Sequence, residues 1–488
     1  MTRYKPVTKA RKAYDYLVFK DGDYYKVQDG DSLQIVHKDK NASTAIAKAI
    51  NLLTPDRTWK EIIKLKGSFV LSSPITLDSC MIFDLSGAKL TLIDGVNDSI
   101  IKADGKSNIE IIGGILDGNR NAQTKGSGIA ITNSEKITVR DTLIQNIIWT
   151  GLSLNQTSKF SVERVIVDTA GVSQYGAGIE TTNNCWDGII AGCKTYNTGS
   201  SGIIVNGSSG ASGRISIIGC QTYKSGYNGI FLYFNVFDVS VIGCVVRNVT
   251  FGWGIEIENA SKCTVQGCSV LDSSPSIGIK IMGSSALFNS VIGNVVSNVG
   301  RHLIAISGGA KWNRVIGNYL EATWTTDTIY DGISIGGADD GGGNGSGGQY
   351  GNIIANNIIR APSIYNRLRH GIREYGDSTV YNIIENNIIR GVIFSSKIKW
   401  VGTETIVRHN IGFVTENSGE AIITAGNTYV DVSHGLDITP DINKIRITPK
   451  DNLNGRDYWI SDVNSSIFRI NISSSDSVDH TFGWSYYN

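Results

Sequence analysis

The chain has 488 residues and a formal net charge of +1, with no long run of like charge, so it carries no electrostatic footprint for nucleic acid. No apolar stretch approaches the ~18 residues of a membrane span, which excludes insertion by a helix. Fifty-six glycines against seven prolines, without a three-residue period, exclude collagen and point to many tight turns.

The opening MTRYKPVTKARKAYDY is basic and has no apolar core behind it, so no secretory signal is predicted. Either export follows another route, such as virion release from a lysed cell, or a native leader has been removed. Residues 11–40 predict a hairpin, two alternating runs around Asp21-Gly22. In Asn41-Ala-Ser-Thr-Ala-Ile-Ala-Lys-Ala-Ile-Asn-Leu-Leu, Ser43 is the candidate N-cap and Ile46, Ile50 and Leu53 fall at helical spacing. Such a helix is expected to cap the apolar end of a repeat array. Residues 1–57 therefore read as an N-terminal hairpin and capping helix.

From residue 58 alternating rungs begin, and from 128 a Gly-Ile or Gly-Leu pair returns about every 25 residues. It stands at Gly128, Gly151, Gly178, Gly202, Gly229, Gly254, Gly278, Gly332 and Gly371, with Leu303-Ile304 filling one gap. A second column keeps the same period: Cys193, Cys220, Cys244 and Cys268, then Asn294, Asn318, Asn357 and Asn387. Within GIEIEN (254–259) apolar and acidic residues alternate, which is the period of a strand. Coils of this length without helices predict about three short parallel strands each, stacked at about 4.8 Å per coil. The fold class is all-β, a parallel β-helix over residues 58–414. Its Cys column is predicted to be an interior stack and its Asn column a hydrogen-bonded ladder. Seven cysteines so arranged do not suggest a disulfide framework.

The spacing opens around EATWTTDT (321–328) and ADDGGGNGSGG (338–348), where loops are expected to leave the coil. The cadence stops near 414. Residues 415–488 alternate differently and predict a small β-sandwich for assembly or attachment. Its aromatic end, Trp484, Tyr486 and Tyr487, suits a core or an interface as well as a ligand platform.

Stacking the rungs predicts two outward columns. One reads Ala130, Ser153, Glu180, Ile204, Phe231, Glu256, Lys280, Ala305, Ser334 and Arg373; the other includes Tyr233, Glu258 and Met282. Acidic and aromatic residues gather between 178 and 282, with Tyr227 and Trp253 in the adjoining turns. Rings beside carboxylates suit a sugar groove, because pyranose C–H faces stack on rings and carboxylates bind hydroxyls. Glu180, Tyr227, Phe231, Tyr233, Trp253, Lys280 and Arg373 are the candidate substrate-binding residues. Glu256 and Glu258 are the candidate catalytic pair. Their Cα atoms would lie about 6.5–7 Å apart, compatible with the roughly 6.5–9.5 Å between the carboxyls of an inverting glycosidase.

The NASTAIAKAIN helix, the ILDGN turn at 115–119, the Gly-Ile rungs and the Asn ladder carry a resemblance over about residues 40 to 415. The chain resembles the right-handed β-helix proteins of the pectin-lyase-like superfamily, especially phage- or archaeal-virus-type tailspikes and related surface proteins. The resemblance implies an extracellular or virion-surface location, a host or cell-surface polysaccharide as partner, and a homotrimer. Asp339-Asp340 and Arg369-His370-Gly371 are similar in part to polygalacturonase motifs. Arg stands where that family has Gly, however, and no Arg-Ile-Lys follows, which argues against that chemistry. The basic cluster Arg367, Arg369, His370 and Arg373 could hold an acidic sugar. No cofactor is expected beyond a Ca²⁺ ion that Asp339, Asp340 and Asn344 could hold, although the spacing is not that of an EF-hand. Three functions stay open: a glycan-binding adhesin, a depolymerase (glycoside hydrolase or polysaccharide lyase), and a structural spike or sheath subunit.

Overall fold

A computed structural model describes residues 13–172, 175–273, 276–323, 330–337, 348–362, 368–376, 378–391 and 393–487. The chain divides into two compact units, Met1–Asn289 and Ser290–Asn488.

The first unit begins with three strands, Tyr16–Asp21, Tyr24–Asp29 and Ile35–Asp39, antiparallel in sequence order. The expected hairpin is thus a three-stranded meander. Its first strand also pairs in parallel with Glu61–Leu71, joining it to the coil. The helix spans Ala42–Asn51 and is capped by Asn41, whose side chain accepts from the Thr44 amide, rather than by Ser43. Ser43 is buried one position inside the helix. Its hydroxyl donates to the Ser73 carbonyl and accepts from the amides of Ser72 and Ser73, tying the helix to the coil.

Beyond residue 58 the chain winds in coils of three short parallel strands. Ile179–Thr182, Trp186–Ala191 and Lys194–Thr198 make one such coil, and each pairs in register with its equivalent in the next. We call these positions the third, first and second faces. Alternate side chains point inward and are buried, as with Ile203, Val205, Ile230 and Leu232 on the third face. From Gly128 to Gly332 the recurrent Gly lies just before the third-face strand, and Gly371 lies within Leu368–Glu374. A Cβ at Gly229 would stand 2.2 Å from Val246 Cγ1 and 2.5 Å from the Gly254 carbonyl oxygen. Close packing of the second face and of the next coil, rather than turn geometry, reserves that position for glycine.

Cys193, Cys220, Cys244 and Cys268 are buried in the interior, their thiols directed at carbonyl oxygens such as that of Ile217, 3.6 Å from Cys244 Sγ. Outside that stack, burial pushes Cys185 up to about 11 and Cys263 up to about 12, so both stay protonated thiols. All seven cysteines are free.

In the second unit the coils continue the three-strand plan, for example in Ile333–Ile335, Ile353–Ala355 and Ile358–Ala361. Asn294, Asn318, Asn357 and Asn387 form the predicted ladder, and Asn410 extends it by one rung, each of the four amide nitrogens donating to the next amide oxygen at 2.9–3.0 Å. A second ladder, Asn313, Asn352 and Asn382, ends on the buried Glu374. The last elements are two three-stranded antiparallel sheets. One holds Asn417–Ile423, Ile445–Pro449 and His480–Tyr486; the other holds Tyr429–Ser433, Tyr458–Ser461 and Ile467–Ile472. Phe468, Ile470, Phe482, Trp484 and Tyr486 share their core, whereas Tyr487 is exposed. Among the described residues no helix is long and apolar enough to cross a membrane.

Candidate functional site

The third face of the first unit sets the site. Its pairing aligns Ala130, Ser153, Glu180, Ile204, Phe231, Glu256 and Lys280 in one column. Thr132, Asn155, Thr182, Asn206, Tyr233, Glu258 and Met282 form the other. The strand period fixes this parity: with Ile230, Leu232, Ile255 and Ile257 inside, their alternate neighbours face out. The rings make a continuous cluster, with centroids 6.3 Å apart for Tyr227 and Phe231, 4.8 Å for Phe231 and Tyr233, and 4.6 Å for Tyr233 and Phe234.

The outward columns are not uniformly at the surface. Glu256 keeps only 2% of its surface exposed, Lys280 1% and Phe231 7%. This corrects the expectation that all three lie open to a ligand. The cause is the turn before each strand. Asn228, fully buried, donates through Nδ2 to Glu256 Oε2 (2.8 Å) and accepts the Trp253 amide on Oδ1 (2.7 Å). The Trp253 ring in turn lies 4.5 Å from Lys280 Nζ. Asn228 and Trp253 thereby close over the column, leaving Tyr227, Tyr233, Trp253 and Glu258 as the residues that reach solvent. Sequence reasoning missed Asn228 because Tyr-Asn-Gly reads as an ordinary turn.

Burial drives the electrostatics. It raises Glu256 to about 8, against the opposing pull of Lys280, while the Glu258 charge adds to the rise. Glu258 is raised by burial and pulled back by Lys280. Tyr227 and Tyr233 are also raised, first by burial and then by the two carboxylates. At neutral pH Glu256 is mostly a neutral acid, donating or accepting inside a closed network. Glu180 sits two rungs away from Phe231, beyond Ile204, and accepts from the Thr150 hydroxyl at 3.2 Å. Burial raises it too. Its distance along the stack, about 10 Å at ~4.8 Å per rung, separates it from the ring cluster.

Arg373 belongs to the second unit and joins a cluster of its own, with its guanidinium 3.8 Å from the Tyr375 ring centroid. Tyr375 donates its hydroxyl to Asp331 (2.6 Å), and Arg369 forks onto the same carboxylate at 3.0 and 2.9 Å. His302 Nδ1 accepts the Asp331 amide at 2.9 Å. Burial raises Asp331, opposed by His302 and Arg369. His370 is buried against Ser396 and lowered to about 4, so it is neutral. The expected basic patch therefore resolves into an Arg369–Asp331 pair and an uncharged His370. Arg367, Asp339, Asp340 and Asn344 lie outside the described residues. Among the described residues no group of three or more His, Cys, Asp or Glu side chains is placed to hold a metal ion.

Residues 177–341 match the family model described as the right handed beta helix region. No curated protein matches the chain in sequence. Among solved structures, the A-module of the Azotobacter vinelandii mannuronan C-5 epimerase AlgE6 is similar at 16% identity and a TM-score of 0.57, covering 76% of this chain and 95% of that one. The AlgE4 A-module of the same organism gives 16% and 0.53, over 75% and 96%. The tailspike protein gp49 of Pseudomonas phage LKA1 gives 11% and 0.54, over 91% and 92%. With its coils of three parallel strands, the chain is a right-handed parallel β-helix protein, sharing its fold with a phage tailspike and with epimerase modules.

Proposed function

We propose that the chain is a tailspike-like β-helix protein that binds a surface polysaccharide on the third face of its first unit. Tyr227, Tyr233 and Trp253 offer rings to the sugar, and Glu258 accepts from its hydroxyls. Phe231, Glu256, Lys280 and Asn228 form the layer beneath and hold those groups in place. The observation that carries this reading is the closed network under the rings, Asn228 to Glu256 and Lys280 to Trp253. It fixes an aromatic surface in the middle of the third face. Two of the similar structures bear the name of a polysaccharide-modifying activity, and a third is a tailspike. A virion or cell-surface location and assembly as three parallel copies complete the proposal.

Cleavage of the glycan is the second reading, favoured by one observation: Glu256 is raised to about 8 beside a second carboxylate, and paired carboxyls of unequal acidity suit acid–base hydrolysis. It requires Glu256 to be uncovered by movement of Trp253. Glycan-array binding combined with a reducing-end assay on the bound polysaccharide separates the two. Binding without new reducing ends, weakened by Tyr233→Ala and retained in Glu256→Gln, supports binding alone. Release of reducing ends that Glu256→Gln abolishes would establish cleavage. An array on which the intact chain retains no glycan overturns both.

A further inference from the structure

A column of left-handed residues runs along one corner of the coils, just before the inward residue of each first-face strand. In the first unit Cys80, Asn108, Lys136, Lys159, Asp187, Arg214, Asp238 and Lys262 occupy it, with φ between +52° and +59°, followed by Phe288 at φ +58°. All but Cys80 and Phe288 are polar or charged, and neighbouring coils pair their charges, as Arg214 does with Asp187 at 2.6 Å. At the same position in the second unit stand Trp312 (φ +54°), Gly351 (φ +63°) and Tyr381 (φ +57°), each preceding an Asn of the second ladder. Bulky side chains avoid this backbone region. Core packing does not explain them either, because Trp312 is 42% exposed and Tyr381 46%.

The rings are arranged together. Lys311, Tyr350 and Val380 are register partners on successive coils, so Trp312, Gly351 and Tyr381 follow one another along the corner. Gly351 makes room for the indole, since a Cβ there would lie 2.7 Å from Trp312 Cδ1. The Tyr350 ring sits 5.6 Å from Trp312 and 5.1 Å from Tyr381, inclined at 84° and 60°. Lys311 precedes the indole, and the nearby Glu404 carboxylate raises the pKa of the Tyr381 hydroxyl.

We infer that Trp312, Tyr350 and Tyr381 form a second glycan-binding platform, taking a pyranose residue by stacking while Lys311 and Glu404 bind its hydroxyls. Rings bordered by charges of both signs match a sugar, which is apolar on its face and polar around its edge. The core of a protein interface is instead depleted in charge. Three half-exposed rings offer roughly 300 Å², well short of the ~800 Å² per partner of a stable protein interface.

This inference rests on the proposed polysaccharide binding, and its test keeps the two apart. The full chain is screened on a glycan array, and the retained glycan is titrated against Trp312→Ala, Tyr381→Ala and Trp312→Lys, with Tyr233→Ala alongside. Trp312→Lys installs the residue type that the first unit carries at this corner, so it is compatible with folding. Each platform variant is expected to bind about tenfold more weakly with an unchanged melting temperature, which corresponds to the lost burial of one ring. Unchanged affinity in Trp312→Lys and Tyr381→Ala, with loss only in Tyr233→Ala, overturns the second platform and leaves the first standing. Retention of no glycan by the unaltered chain overturns both. A change of sedimentation in the variants at unchanged affinity overturns the platform in favour of a contact between copies.

Discussion

Replacing Asn357 by alanine tests what the Asn ladder contributes. The fully buried Asn357 side chain accepts from the Asn318 amide (3.0 Å) and from Asn318 Nδ2 (2.9 Å). It donates to the Val315 carbonyl and to Asn387 Oδ1, both at 2.9 Å. Asn387 Oδ1 would keep the bond from the residue 357 main-chain amide, which alanine retains. The Asn318 main-chain amide would lose its acceptor, and one of the two Asn318 Nδ2 hydrogens would too, leaving Nδ2 only the Val291 carbonyl. A buried group deprived of its partner costs about 1–3 kcal/mol, so Asn357→Ala should destabilise the second unit by roughly 3–5 kcal/mol. Cys244→Ala, in the equivalent slot of the first unit, provides the contrast. There the acceptor above Cys244 is the Cys268 sulfur, 3.4 Å from its amide, and the Cys244 thiol itself is a small hydrophobe with a weak donor. Its loss should cost only about 1 kcal/mol. The assay is guanidinium unfolding of the full chain, read together with native-state hydrogen exchange at the Asn318 amide. Equal midpoint shifts for the two variants, with Asn318 protection intact, would refute a ladder held by amide hydrogen bonds.

Three further outcomes follow from the structure. Glu256 has a folded-state pKa of about 8, above its ordinary 4.5, so the folded chain binds the extra proton. Stability should therefore fall as pH rises between about 4.5 and 8, and Glu256→Gln should flatten that slope in pH-resolved melts. In the terminal sheets His480 lies 2.7 Å from Asp451 and 3.1 Å from Asp476, and the two carboxylates, Asp451 first, raise it. Its contribution is fully present below its unfolded pKa and should be lost as pH rises through the raised value. Asp476, lowered to about 2 by Asn454 and its other partners, loses its contribution only as pH falls through that value. Melts of His480→Gln should show no loss on the alkaline side. Gly229→Ala would place a methyl 2.2 Å from Val246 Cγ1 and should lower the thermal midpoint by more than a surface Gly→Ala change such as Gly219→Ala.

The scaffold was largely legible because a solenoid writes its register into its period. Two columns at one spacing gave the coil, the parity of inward and outward residues, and the Cys and Asn stacks. What escaped was set by groups outside the strand alternation. Parity placed Glu256 and Lys280 outward correctly, but strand period does not report that Asn228 and Trp253 fold across them. Arg373 aligned with the column yet turned to Tyr375 and the Asp331 cluster, a partner choice set by Leu368–Glu374 and its neighbours. Ser43 and Asn41 are both good caps; Asn41 wins because the Ser43 hydroxyl is engaged with the coil at Ser72 and Ser73. The glycine count signalled turns and the Gly cadence a repeat, whereas packing against Val246 and Gly254 is what excludes a side chain at Gly229.

The most direct test of the account is a diffraction structure of the chain with an oligosaccharide taken from the polysaccharide it retains on an array. A sugar ring is expected to stack on Tyr233 or Trp253, with a hydroxyl bonded to Glu258 and Glu256 still closed beneath. Sugar density elsewhere on the first unit, with that face bare, would contradict it.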